Sequence, residues 1–441
     1  MALLIGNMFS ISILFVGSVV AVDTTAAAAA AAAAQPPTPA VVQFTTTVFT
    51  HNDPGGLNQT CGGLKPGVFE QPNCYRIPML ARASAGGANV LAFAEARYWI
   101  GDGCVPAKQT GTHCDNTAVV YKRSSDGGRS FGPMQSLGKN LSRTGPGDFA
   151  VLSACGATGP CVIRVQFCFD TNNSQSLSEV SQDYCEVSPT GAVHEVVSHD
   201  GGDTWEPPRD ILLVHPNLTR GSGVQTMSGV QLLSAARGRK GRLLWCGHKA
   251  HPGGTYVGDA WVWASDDDGR TYFVKAWLPF LSECTLAESS TGVIILNSRN
   301  EKPGAKERVR LVVTSSDGGD TWSNVTRDSR FPTPGCQASL LGLPLQKKLY
   351  FSNPASNLTR TRLTVRRSED DAVTFPASVL VNDGESGYSS LGVIQRGGRA
   401  QEWGPGEPGA VQQIGILYET GDEGCKGASC KIVLAGLSPG F

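Results

Sequence analysis

Charge is scarce in this chain and nearly balanced. Only 17% of the 441 residues are Asp, Glu, Lys or Arg, and the formal net charge is −1. That removes the electrostatic case for nucleic acid or an anionic membrane surface as a partner. No CxxC pair or His/Cys cluster with zinc-ligand spacing occurs, so neither a structural metal nor a cofactor is expected. Beyond the N-terminus no apolar run is long enough to cross a bilayer. Glycine, at 53 residues, is plentiful, and this balance belongs to a turn-rich all-β protein rather than a helical bundle.

The N-terminus reads as targeting sequence. Met8 to Val22 is apolar, and Val19 and Ala21 suit cleavage after Ala21, so residues 1–21 are expected to be a signal peptide or, uncleaved, a signal anchor. Residues 22–40 hold a polyalanine tract and "QPPTPA" and read as a linker. Residues 41–441 form the expected domain. Thirteen cysteines and sequons at Asn58, Asn140, Asn172, Asn217, Asn324 and Asn357 point to the secretory pathway, with a secreted or lysosomal destination. Closeness in sequence pairs Cys61 with Cys74, Cys104 with Cys114, Cys155 with Cys161, Cys168 with Cys185 and Cys425 with Cys430. Cys246, Cys284 and Cys336 are left over, and an odd total leaves at least one thiol unpaired within the chain.

One short pattern repeats: Ser-x-Asp-x-Gly-x-Thr-aromatic. It occurs as "SSDGGRSF" from Ser124, "SHDGGDTW" from Ser198, "SDDDGRTY" from Ser265 and "SSDGGDTW" from Ser315, with a decayed "SEDDAVTF" from Ser368. Asp and Gly make a tight hairpin turn, Ser and Thr cap backbone groups, and β-rich runs flank each copy. The copies start about 50–75 residues apart, room for a four-stranded sheet with its loops. The expectation is a six-bladed β-propeller. Five blades carry the turn, and a sixth is built from the C-terminal strands and completed by "VVQFTTTVF". These turns identify architecture, not chemistry.

Arginines in or beside strands are the candidate site. Arg76 lies in "YRIP", Arg299 in "NSRN" and Arg360 in "NLTRTRLTV", in three different blades whose first strands converge on one axis. Three guanidiniums around one point bind a carboxylate. Glu95 and Arg97 in "LAFAEAR", Glu288, Glu419 and Tyr388 accompany them. A glutamate beside the Tyr388 phenol could take its proton and make it a nucleophile.

Together the ordered motifs "YRIP", "LAFAEAR", "KGRLLWCGH", "NSRN", "FSNPA", "GYSSL" and "LYE", with the repeated Asp-box turns, resemble the exo-α-sialidases, closest to the lysosomal type. The resemblance covers about Asn73 to Glu419. It implies a retaining sialidase acting on sialylated glycans. Arg76, Arg299 and Arg360 would hold the substrate carboxylate, with Arg362 the rival for the third place. Glu419 would orient Arg76, Tyr388 would be the nucleophile with Glu288 its base, and Arg97 would lie near a substrate hydroxyl. The acid/base aspartate would be Asp102, with Asp115 its rival. The alternatives in keeping with these residues are a non-catalytic sialoside-binding propeller and a trans-sialidase, intermolecular or intramolecular; Trp99 could pack in the core or line the acceptor site.

Overall fold

The computed structural model describes residues 41–441 apart from 51–52, 54–71, 73, 87, 98–116, 138–146, 171–190, 212, 214, 216–223, 235–237, 251–257, 302–307, 397–411, 422–430 and 440. The expected leader and linker, and Trp99, Asp102 and Asp115, lie outside the described residues.

The described structure is built on antiparallel sheet. β1 (Val42–Thr50) comes first. Four four-stranded sheets follow in chain order. The first holds β2 (Cys74–Arg82), β3 (Val90–Arg97), β4 (Thr117–Ser124) and β5 (Gln135–Ser136). The second holds β6 (Gly147–Ala154), β7 (Val162–Asp170), β8 (Gly191–Ser198) and β9 (Arg209–Asp210). The third holds β10 (Gln225–Gln231), β11 (Leu243–Ala250), β12 (Gly258–Ser265) and β13 (Phe273–Leu278). The fourth holds β14 (Cys284–Glu288), β15 (Ile294–Ser298), β16 (Arg310–Ser315) and β17 (Thr326–Asp328).

The rest differs from the expectation of separate blades. β18 (Ser339–Leu343), β19 (Lys348–Pro354), β20 (Thr361–Ser368), β21 (Ala377–Arg396), β22 (Gln412–Thr420), β23 (Lys431–Leu437) and β1 make one seven-stranded sheet. The cause is the 20-residue β21, which pairs with β20 through its first half and with β22 through its second. The sheet is thus two four-stranded sets sharing one strand. β1 completes the second set by pairing antiparallel with β23. The first strands neighbour one another in the cyclic order β2, β6, β10, β14, β18, β21 and back to β2.

Each copy of the repeated motif forms the turn between the third and fourth strand of its sheet. The serine Oγ accepts a bond from the backbone N–H four residues on: Gly128 at 2.8 Å, Gly202 at 2.7 Å, Gly269 and Gly319 at 2.8 Å, Ala372 at 2.9 Å. The aspartate accepts from a further N–H and hydroxyl, as Asp267 does from Thr271. The fifth copy keeps the turn although Ala372 stands where the others have glycine, at φ +71°. The shared-strand set that includes β1 carries no copy because its third and fourth strands, β23 and β1, meet by pairing and not through a hairpin.

Arginines tie each sheet to the next turn. Arg123 Nη2 donates to Gly201 O at 3.1 Å, Arg164 Nη2 to Asp268 O at 2.8 Å, Arg242 Nη1 to Gly318 O at 2.8 Å and Arg330 Nη1 to Ala372 O at 2.8 Å. The largest apolar cluster runs through the first three strands of the sheets, from Ile77 and Phe93 through Phe167, Val262 and Leu296 to Tyr388. It excludes water beneath the strand starts, so polar groups there must find partners in the protein.

Cys155 and Cys161 are bonded as their spacing implies. Cys246 and Cys284, for which nearness in sequence offers no partner, are bonded to each other across the third and fourth sheets. Cys336 is a buried free thiol. Cys74 and Cys168 are disulfide-bonded too; Cys61 and Cys185, expected as their partners, lie outside the described residues, as do Cys104, Cys114, Cys425 and Cys430.

Candidate active site

The motif turns sit at one end of the strands, and the singled-out side chains gather at the other. Arg76 is fully buried on β2, where a guanidinium needs an anionic partner. Glu419 on β22 supplies it, accepting from Arg76 Nε at 3.0 Å and Nη2 at 3.3 Å. The same carboxylate accepts from the backbone N–H of Ile77 at 3.0 Å and of Tyr388 at 2.9 Å. One buried carboxylate therefore fixes β2, β21 and β22 together. A side chain at Gly387 would put its Cβ 2.2 Å from Glu419 Oε2, so the glycine before Tyr388 is what lets the carboxylate in.

Ile77 has φ +55°, a left-handed conformation for a β-branched residue that precedes proline. Such a conformation costs about 1–3 kcal/mol and persists where the surroundings over-determine it. The Glu419 bond to Ile77 N–H and the register shift between Arg76 and Met79 do so, and they aim Arg76 at Tyr388.

Around the Tyr388 ring stand the three arginines from distant sequence. Arg76 Cζ lies 4.9 Å and Arg360 Cζ 5.6 Å from the ring centroid. Arg299 Nη1 lies 3.5 Å from the phenol oxygen. Arg299 is gripped by two carboxylates, Glu283 at 3.0 Å from Nη1 and Glu301 at 2.7 Å from Nη2. Arg360 forms no ion pair with a described carboxylate. Arg362, two residues on, is at φ +62° and turns outward to pair with exposed Asp383 at 2.7 Å. Glu95 stands opposite Arg76 in the β2–β3 register, and its Oε2 accepts from Arg97 Nε at 2.7 Å, both side chains buried.

The carboxylate against the Tyr388 phenol is Glu283, not Glu288. The phenol donates to Glu283 Oε1 in a short hydrogen bond. Glu288 sits at the far end of β14, where it accepts from the N–H groups of Leu233 at 2.6 Å and Ser234 at 3.0 Å. The reason is register. β14 and β15 pair Cys284 with Ser298 and Glu288 with Ile294, so the residue opposite Arg299 is Glu283, whose carbonyl accepts from Arg299 N–H at 2.9 Å. The Ser290–Gly292 turn was the sequence signal that fixes this register.

Burial pushes the Glu283 carboxyl up. The Arg299 charge, that of His248 and the hydrogen bonds from Tyr388 and Arg299 outweigh it and bring Glu283 below the ordinary glutamate range. Cys336 lies in the field of Arg360, Glu283 and Arg299; burial holds its thiol above the usual range. The arrangement can hold an anionic group among the guanidiniums and take a proton from a phenol at its edge. Among the described residues no group of His, Cys, Asp and Glu is arranged to hold a metal.

A profile of the BNR repeat-like domain family matches residues 178–399, half of the chain. The chain belongs to that family. Two relatives are each called sialidase: one from Micromonospora viridifaciens, 28% identical over 69% of this chain and 45% of its own length, and one from Bacteroides fragilis, 25% identical over 83% and 63%. This chain spans about half to two thirds of their length. Among solved structures, a Hadza microbial sialidase superposes with a TM-score of 0.61 at 22% identity, covering 82% of this chain and 65% of its own. Trypanosoma rangeli sialidase, determined with the inhibitor DANA, superposes at 0.58 and 18% identity over 90% of this chain and 60% of its own. The shared fold is thus sialidase-like and all-β.

Proposed function

We propose that this protein is an exo-α-sialidase that removes terminal sialic acid from glycans with retention of configuration. The observation that carries the reading is one phenol, Tyr388, in contact with a buried carboxylate and ringed by Arg76, Arg299 and Arg360. The names of the relatives point the same way. A sialoside carries a carboxylate on its anomeric carbon, which repels a carboxylate nucleophile and spares a neutral phenol. In this mechanism the three guanidiniums hold the substrate carboxylate and Tyr388 attacks the anomeric carbon as its proton passes to Glu283. The leaving oxygen takes a proton from an acid for which Asp102 is our choice over Asp115. Water then releases sialic acid. Arg97 with Glu95 would contact the ring hydroxyls.

We read the sheets as six propeller blades, two of which share β21; the cyclic order of first strands supports this. Passage through an oxidising compartment is proposed on the disulfides Cys155–Cys161 and Cys246–Cys284. The test is hydrolysis of a fluorogenic aryl sialoside by wild type and by Arg76→Ala. Loss of a bidentate charged contact should cost roughly 2–5 kcal/mol of transition-state binding, a drop in kcat/KM of about 30- to 5,000-fold. A fully active Arg76→Ala enzyme overturns the assignment. Release of free sialic acid, rather than its transfer to an added acceptor or its release as an anhydro sugar, separates hydrolysis from the two trans-sialidase reactions.

A further inference from the structure

We propose that the Cys246–Cys284 disulfide is a positioning element of the site: by tying the start of β14 to β11 it holds the Glu283 carboxylate against Tyr388. The proposal rests on the reading of Glu283 as the base for Tyr388.

Glu283 directly precedes Cys284, the first residue of β14. The segment leading to it is irregular. Phe280 is at φ +65° with its N–H on Asp259 Oδ1 at 2.9 Å, and Ser282 N–H is on Ser298 Oγ at 2.9 Å. These holds are hydrogen bonds and can open. The disulfide is covalent, and both its cysteines are buried. It also crosses a boundary between sheets, where β10, β11 and β14 meet by side-chain packing and not through a shared ladder. Cys246 and His248 are two apart on β11 and so share a face. The disulfide therefore also sets how close His248 comes to Glu283.

Tyr388 of β21 and Arg299 after β15 contact Glu283, and His248 of β11, Arg310 of β16 and the Cys336 thiol lie within electrostatic reach of it. Arg299 and His248 bring the carboxyl below its ordinary value against its burial. A loosened β14 start weakens both, so the carboxyl rises.

The experiment compares wild type with Cys246→Ala/Cys284→Ala, using Cys155→Ala/Cys161→Ala as the disulfide control, far below each variant's Tm. Misplacing a reacting group by about 1 Å costs up to about 100-fold, so kcat should fall about 10- to 100-fold with KM changed less than about 3-fold. The acidic limb of kcat/KM should move to higher pH. The control should match wild type on both. A Cys246→Ala/Cys284→Ala enzyme that has only a lower Tm, with kcat and acidic limb unchanged, overturns the proposal. If that variant does not fold, Cys246→Ala/Cys284→Val, which refills the sulfur volume, is read by the same criteria. Glu283→Gln is run alongside. If it equals wild type, the base reading has failed; if it is inactive while the disulfide variant is unchanged, the disulfide proposal alone has failed.

Discussion

Replacing Glu283 by glutamine keeps the shape of the side chain and removes its ability to take a proton. The Tyr388 phenol would keep a hydrogen-bond partner but lose its base, a contribution of about 10²- to 10⁴-fold. Arg299 would lose one of its two carboxylates, yet Glu301 still holds Nη2, so the guanidinium should stay in place. The expected outcome is a kcat/KM lower by about 10²- to 10⁴-fold, equal to roughly 3–5.5 kcal/mol, with a small change in Tm. Glu288→Gln is the counterpart. Its carboxylate accepts two backbone N–H bonds near Leu233 and takes no part at Tyr388. Charge-assisted bonds contribute about 1.5–3 kcal/mol each, so Tm should fall while kcat/KM stays within about 3-fold. Both variants are assayed with an aryl sialoside across pH and by thermal unfolding. The reasoning is refuted if Glu288→Gln loses activity at an unchanged Tm while Glu283→Gln remains active.

Gly387→Ala should displace Glu419, because its Cβ has no room beside Oε2, and lower activity at least about 10-fold with KM for sialoside raised, since Arg76 loses its anchor; unchanged KM would show that Glu419 can shift freely. Ala372→Gly should raise stability by about 0.5–1 kcal/mol by relieving the left-handed turn, read from chemical denaturation; a loss would mean that the alanine methyl packs favourably. Arg242→Met breaks contacts to Asp266 at 2.7 and 2.8 Å, Asp320 at 2.9 Å and Gly318 O, and should cost about 2–4 kcal/mol, less than a wholly buried pair because both aspartates are partly exposed; an unchanged denaturation midpoint would dismiss the inter-sheet tie. The Asp267 carboxyl is lowered to about 2 by the Thr271 hydroxyl, then by Thr271 N–H, and that of Asp370 likewise by Thr374. A depressed carboxyl contributes stability that is present above its unfolded value of about 3.9 and lost as pH falls towards about 2. Acid unfolding of Asp267→Asn should therefore be shallower over that interval than that of wild type, and identical curves would contradict it.

Local chemistry was enough for much of the fold. Five copies of a Ser-x-Asp turn each need only eight adjacent residues to close, so the hairpins and their spacing could be counted from the chain, and the β-rich runs beside them are strands. That "VVQFTTTVF" joins the C-terminal strands was legible as a strand-like run outside the five marked copies; that β23 is its partner was not. The length of β21 was not, because nothing local distinguishes a strand that changes partner halfway from two strands. Cys246 and Cys284 were left unpaired by a rule of nearness in sequence, which fails where neighbouring sheets meet.

The amino-acid order by itself determined that Arg76, Arg299, Arg360, Glu419 and Tyr388 merit attention: arginines and a tyrosine beside apolar strands, in motifs of recognisable order. Tertiary structure decided which groups meet. It set Arg360 beside the Tyr388 ring and turned Arg362, at a left-handed φ, to solvent. It chose Glu283 over Glu288, since a strand of five residues is about 16 Å long and only one end of β14 reaches the phenol. Composition and motif report what a side chain is able to do, whereas the partner it does it with is fixed by register and by packing between sheets, and neither is written in any short stretch of the chain.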